Sequence, residues 1–455
     1  MAETTRDGAP NRWGVVLGAV LIQLSLGAIY AWSVFTPALH SAGWSKVETQ
    51  AVFAIGLAAF ALVMVFAGRL LGKLGPRVLA VLGGLVLGAG YGLAGILGAT
   101  SFWAVALGVG LIGGAGIGLA YVVPIAVGMR WFPDRKGMIT GLAVAGFGFG
   151  AMGWVKLAGA WGQLIDRIGL SGTFLVYGAA FAALILVGSV WMRMPPKGWV
   201  PPGAAAAAGA EGRKGRENFT VPEMLRTPQF YLIFLTFAVS AGSGLMSIGL
   251  MKLYPMEALQ AGGLSLAEAS AVAGTAMAVF FSLANGVGRI AWGTISDRLG
   301  RRRSVMLMAG SQAVFLFAFT AMAGTPWLLY LGAALIGFNF GGNFALFPAI
   351  TADTFGNERV GQNYPFVFLS YGVGGIAFPL LGGVLGDLGN FPLAFSICAA
   401  ACLLGVLCTA LIRIPDFEEA HAPLSVHGFM HQMRWDHLDD VVDHALHPER
   451  YKRVE

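Results

Sequence analysis

The sequence is short of charge. Aspartate, glutamate, lysine and arginine make up only 11% of its 455 residues, while 56% are hydrophobic, and the mean hydropathy is +0.72. So little polar surface cannot clothe a water-soluble globule of this size, which excludes a soluble enzyme or binding module. Cysteine is scarce too. The three present, Cys398, Cys402 and Cys408, crowd one late apolar run, which argues against a disulfide framework or a metal cage and leaves them as packing residues. No Gly-x-x-x-x-Gly-Lys-Ser/Thr loop is available to hold nucleotide phosphates, and the apolar runs carry no Ser/His pair, carboxylate pair or histidine cluster. A membrane enzyme and an ATP-driven pump therefore both lack their chemistry, and no cofactor or metal is expected.

What is abundant is glycine, at 67 residues, the residue that lets membrane helices approach closely. Apolar runs near the ~20 residues needed to cross hydrocarbon recur along the chain, and we count about twelve. Lysine and arginine collect on alternate connections: Arg6 and Arg12, Arg69/Lys73/Arg77, Arg130/Arg135/Lys136, the middle loop, Arg298/Arg301/Arg302/Arg303, Arg359 and the tail. Opposite connections hold little beyond Lys46, Arg167 and Lys252. The positive-inside rule then puts both termini in the cytoplasm, and the short polar start without a cleavage pattern implies that the first span is retained. On this topology the net charge of +6 is a basic excess facing anionic headgroups, so no nucleic-acid partner is implied.

The expected organisation is all-α: a cytoplasmic N-terminus (1–12), a six-helix bundle (13–191), a Pro/Ala-rich cytoplasmic central loop (192–229), a second six-helix bundle (230–414) and a His-rich cytoplasmic tail (415–455). The bundles are repeats. Leu111-Ile112-Gly113 pairs with Leu335-Ile336-Gly337, Pro124 with Pro348, Asp134-Arg135 with Glu358-Arg359, Gly137 with Gly361, and Gly148 with Gly372, all at one offset. Gly68 to Arg77 also matches Gly293 to Arg302. Repeats of this sort place a substrate near the midplane between them.

Within the eighth span, Ser282, Asn285, Arg289, Trp292 and Ser296 recur at steps of three and four and so share one helix face. Arginine at a span centre costs ~2.5–3.5 kcal/mol on the insertion scale, so Arg289 should face a polar cavity rather than lipid. No acid lies in the core of any span, since Asp166, Glu268 and Asp387 fall at ends. The guanidinium fork suits a carboxylate, which it can grip with two parallel hydrogen bonds, and Asn285 one turn away could bind a further oxygen. Tyr30 and Gln23 on the first span, Tyr121 on the fourth, Phe340 and Asn343 on the tenth, and Tyr371 with Tyr364 on the eleventh are candidates to complete the pocket; for each of them helix packing is the competing explanation. Lys156, near the outer end of the fifth span, is expected to snorkel. In the tail, six of the seven histidines appear. Asp440/His444 and Asp443/His447 are at i,i+4 spacing, a weak metal signal, and the histidines could instead sense cytoplasmic pH; a tail lying on the membrane is the simpler expectation.

The string Gly-x-x-x-Asp-Arg-x-Gly-Arg-Arg from Gly293 to Arg302, its copy from Gly68 to Arg77 and the 6+6 layout resemble the major facilitator superfamily up to about Ile414. Gly27-Ala28-Ile29-Tyr30-Ala31-Trp32-Ser33-Val34-Phe35, Asn285 to Arg289 with Trp292-Gly293, and Gly337 to Pro348 look like the oxalate/formate antiporter family and its bacterial monocarboxylate-carrying members. The resemblance implies a major facilitator fold with two pseudo-symmetric bundles, a bacterial inner-membrane location and alternating access. It also implies a gating latch made by Gly293, Asp297, Arg298 and Arg302; the first copy has Gly72 at the acid's position. It further implies an arginine at 289 that binds the substrate carboxylate, helped by Tyr121. Oxalate exchangers carry a lysine where this chain has Tyr371. One cation neutralises a monoanion but not a dianion, which favours lactate, pyruvate or a similar acid, with protons as the candidate coupling ion. The alternatives are an oxalate/formate-type exchanger and a carrier-like receptor signalling through its tail. A monomer is expected.

Overall fold

A computed structural model describes residues 12–44, 46–158, 162–196, 218–251 and 253–413; the tail histidines and the N-terminal residues 1–11 lie outside these. Among the described residues twelve helices are long and apolar enough to cross a membrane. They are α1 Arg12–Trp32, α2 Ala51–Leu74, α3 Pro76–Leu97, α4 Phe102–Trp131, α5 Lys136–Ala158 and α6 Leu164–Ser189, then α7 Pro228–Ile248, α8 Leu266–Leu299, α9 Arg301–Met322, α10 Pro326–Phe355, α11 Val360–Gly386 and α12 Phe391–Ala410. The repeated motif makes the same turn in both halves. Gly75 between α2 and α3 (φ +78°) and Gly300 between α8 and α9 (φ +90°) both adopt a positive φ, which a residue with a Cβ reaches only with strain.

The distribution of side chains is that of a lipid-facing bundle. Trp103 and Trp327 are each 78% exposed and Ile96 74%, whereas Gln23, Asn339, Asn343 and Asn363 are buried. Four of the spanning helices depart from simple α geometry, among them α6, which kinks at Gly169 (φ +69°). Gly27–Val34 at the far end of α1 winds as a 3-10 helix, and Ala106–Gly113 of α4 and Ala276–Phe281 of α8 wind as π-helix; such distortions mark places where packing overrides the regular ladder.

The halves meet through α5 with α8 and α10, and through α11 with α2 and α4. Glycine sets the closest of these approaches. A Cβ on Gly141 of α5 would fall on the Arg289 carbonyl of α8, one on Gly293 would fall on the Gly137 carbonyl, and one on Gly148 would stand 3.0 Å from the Gly286 Cα. Across the membrane half that carries these contacts, α5 and α8 thus touch backbone to backbone.

The central loop is not linker throughout. Phe219 N–H donates to the Phe355 carbonyl (3.0 Å), Asn363 Nδ2 donates to the Phe219 carbonyl (3.0 Å), and Thr220 and Glu223 form a capping box on the short helix Val221–Met224. This segment is seated against the ends of α10 and α11, so the folded second half begins before Phe230.

The α5–α8 seam yields a direct test. Gly141→Ala is expected to lower the melting temperature in detergent by about 5 °C and to depress transport, because an overpacked helix contact must separate. Gly153→Ala, whose new methyl meets nothing within 4 Å, is expected to melt like the wild type. Equal stability of the two variants would mean that the seam tolerates separation.

Candidate functional site

The α8 stripe read from the sequence faces the protein interior: Asn285, Arg289, Trp292 and Ser296 are all buried. Arg289 is 0% exposed and is the one charged side chain among the described residues that is buried. Its Nε donates to Asn285 Oδ1 (3.2 Å) and its Nη1 to the Val144 carbonyl of α5 in the other half (3.1 Å). Its guanidinium carbon lies 4.2 Å from the Phe344 ring centroid and 5.4 Å from that of Phe147. Nη2 has no hydrogen-bond partner, and no ion pair joins Arg289 to a carboxylate among the described residues. The charge is therefore held by dipoles and π-faces, with one donor face unused. Ser282 belongs to the stripe by spacing only. The π-helical turn brings its hydroxyl to the Met277 carbonyl (3.1 Å), so it serves its own helix.

Four tyrosines surround the guanidinium within electrostatic reach: Tyr30 (α1), Tyr121 (α4), Tyr364 and Tyr371 (both α11). The Tyr30 and Tyr371 hydroxyls bond to each other at 2.6 Å across the two halves. The Tyr121 and Tyr364 hydroxyls are buried and have no partner. Phe368 is the wedge among them, with ring centroids 5.4 Å from Tyr121, 5.7 Å from Tyr364 and 5.0 Å from Tyr371. Gln23 sits behind Tyr121, its Nε2 donating to that residue's carbonyl at 3.4 Å.

Phe340 requires correction. It packs against Phe281 and Gly244 inside the second half, and the ring lying on the guanidinium is Phe344, one turn further along α10. Spacing on α10 alone could not separate the two, because both lie on the same helix face. Tyr364, a candidate by sequence, lies with the other tyrosines near the guanidinium, and Phe147 is a further site residue that sequence reasoning did not place there. Lys156 is half-buried near the end of α5.

On the face that carries the basic loops, the halves are latched. Asp297 accepts hydrogen bonds from the backbone N–H groups of Gly137 (2.9 Å) and Met138 (2.7 Å), capping the start of α5 across the interface. Arg301 bridges Asp297 (2.7 Å) and Asp353 (2.8 Å), and Lys136 of the opposite half completes the chain to Asp353 (2.8 Å). The resemblance assigned the cationic parts to Arg298 and Arg302, and the structure moves them. Arg298 is exposed, and Arg302 donates to the Ala410 carbonyl at the end of α12. Arg301 stands over Asp297 because the Gly300 turn returns the chain at i+4. Gly293 contributes by the close approach to Gly137.

Two six-helix halves enclosing a buried polar centre, with a latch at one face, define a two-lobed membrane carrier. The chain belongs to the Major Facilitator Superfamily, which matches residues 15–280 and 254–435. It is similar to the uncharacterized MFS-type transporter YhjX of Escherichia coli strain K12 (28% identity; 80% of this chain, 86% of the relative). It is also similar to the oxalate:formate antiporter of Oxalobacter formigenes (27%; 86% and 88%) and to apicoplast pyruvate carrier 1 of Toxoplasma gondii (25%; 88% and 89%). Among solved structures, the Escherichia coli fucose:proton symporter FucP shares the fold, with a TM-score of 0.62 at 16% identity over 87% of this chain and 97% of that one.

Asp353 is the latch residue the sequence did not reveal, and its removal is measurable. In a background lacking the native cysteines, Thr140→Cys reports on access to α5 from the basic face, since Thr140 is only 1% exposed. Asp353→Asn is expected to raise maleimide labelling there by about threefold or more, because it leaves Lys136 and Arg301 without their shared acid. Unchanged labelling would remove Asp353 from the closure.

Proposed function

We propose that this protein is a secondary carrier of short monocarboxylates of the lactate and pyruvate class, working by alternating access with Arg289 as the carboxylate anchor. The observation that carries this is a fully buried guanidinium with a free Nη2 and no acidic partner among the described residues. A carboxylate supplies both the missing charge and an acceptor for the fork. The alternating-access step is built into the same group. Nη1 donates one of its two N–H groups to the Val144 carbonyl of the other half, so an anion drawing on Nη1 and Nη2 pulls on the same guanidinium that holds the halves together. Binding and separation of the lobes then become one event.

The charge count favours a monoanion. The position that would hold a second cation in an oxalate exchanger is Tyr371, whose hydroxyl is engaged with Tyr30, and the remaining walls are the rings of Phe147, Phe344 and Phe368. A dianion would leave about one charge uncompensated in low dielectric, at a cost of several kcal/mol. The oxalate:formate antiporter among the relatives keeps exchange as the competing mode, while the pyruvate carrier supports the monocarboxylate. Proton symport is the coupling we favour, with the basic face cytoplasmic in a bacterial inner membrane. The protein then works as a monomer, because one chain contains the whole site. A receptor role would rest on the tail, which lies outside the described residues.

In proteoliposomes, Arg289→Lys is expected to cut initial uptake of labelled pyruvate or lactate by about two orders of magnitude at wild-type protein levels, since an ammonium cannot reproduce the fork. Uptake near the wild-type rate would refute the anchor. Tyr371→Lys is expected to let oxalate compete with labelled lactate; an unaltered inhibition panel would overturn the charge count. Running the panel with and without a pH gradient separates symport from exchange.

A further inference from the structure

The anchoring of a carboxylate by Arg289 leaves two buried hydroxyls unexplained. Tyr121 is 1% exposed and Tyr364 0%, and neither hydroxyl has a hydrogen-bond partner. They come from opposite halves, α4 and α11, and lie close to each other and to the guanidinium. Phe368 packs on both rings, at 5.4 and 5.7 Å between centroids, and fixes them side by side. Two turns along the same face of α11, Tyr371 meets Tyr30 from the first half in the same manner, but there the hydroxyls have closed on each other at 2.6 Å. Helix α11 therefore presents two tyrosines to tyrosines of the other lobe, one pair satisfied and one not.

A buried hydroxyl that closes no hydrogen bond is unfavourable, and the Tyr121 and Tyr364 hydroxyls stand near each other and near the Arg289 Nη2–H without closing a well-formed bond among the three, which leaves donors of the cluster available. A carboxylate occupies the guanidinium with its two oxygens. Donors set beside that position suit a further oxygen on the adjacent carbon, which a 2-oxo or 2-hydroxy acid has and a plain alkanoate lacks. Resting on the anchor role of Arg289, we propose that Tyr364, paired with Tyr121, recognises the α-oxygen of the substrate and selects 2-oxo and 2-hydroxy monocarboxylates over unsubstituted ones. Tyr364 contributes from the second half and Tyr121 from the first, so the oxygen bridges the lobes as the carboxylate is held.

The test compares pyruvate and lactate with propionate, which matches them in length but has no α-oxygen. Wild-type proteoliposomes are expected to take up labelled pyruvate and lactate well ahead of propionate. Tyr364→Phe removes one hydroxyl and keeps the ring; it is expected to lower pyruvate and lactate uptake by about tenfold while propionate stays within about twofold of wild type. Stabilisation of the purified variant against heat, by pyruvate and by propionate separately, gives the same comparison without transport. An unchanged pyruvate-to-propionate ratio, or an equal loss of all three acids, would overturn the role of Tyr364 and leave Arg289 standing. Wild-type protein that moves none of these acids, or full uptake by Arg289→Gln, would sink the anchor itself and this inference with it.

Discussion

The structure turns on one permanent positive charge that is fully buried and paired with no acidic side chain among the described residues. Arg289 is buried completely, and what holds it is a carbonyl on α5, an amide on its own helix and the face of Phe344. Placing arginine at the centre of a span costs ~2.5–3.5 kcal/mol even when the surroundings adapt. A carbonyl and a ring offset part of that, and neither supplies a full negative charge. The residual imbalance is what an anion can relieve, and it disappears if any nearby acid is paired with the arginine. The scarcity of acids in the spans is thus a requirement of the site.

That interaction dictates much of the architecture around it. Val144 reaches Arg289 only because α5 and α8 approach to backbone contact, and they can do so because Gly137, Gly141, Gly286 and Gly293 carry no side chains along the seam. The same two helices carry the latch, where Asp297 at the end of α8 caps the first turn of α5. Site and gate are therefore linked by one rigid helix pair, Arg289 lying about 12 Å from Asp297 along α8 by helical rise. A displacement of α8 against α5 at the site cannot be confined there, since the glycine contacts leave no room for local adjustment.

Much of this was legible in the sequence, and what was not failed for identifiable reasons. Hydropathy and the basic loops give the spans because the bilayer imposes a length and a charge asymmetry on every segment independently. Arg289 and Asn285 were visible for the same reason: a charge and an amide one turn apart inside an apolar run violate the local rule. Phe344 was not, because an aromatic ring in a membrane helix violates nothing, and choosing between it and Phe340 needs the rotation of α10 against α8. Arg301 was missed in favour of Arg298 and Arg302 because the partner of Asp297 is set by the reversal at Gly300, and a linear motif does not show which of several arginines returns over the acid. Asp353 escaped because it ends a helix, where an acid looks like an ordinary surface residue; its partners come from elements far away in the chain.

The tyrosines bring the argument back to alternating access. A carrier must have a site that both lobes share, so that the lobes cannot separate on one face without changing the grip on what lies between them. Arg289 bonds across the interface to Val144, and Tyr371 bonds across it to Tyr30. The centre is thus bridged by two hydrogen bonds, one from the Arg289 guanidinium to a neutral carbonyl and one between neutral hydroxyls, whereas the latch is a chain of ion pairs. A strong closure at one face with a weak one at the centre is the order of strengths that lets a small anion rearrange the middle of the protein before the latch opens.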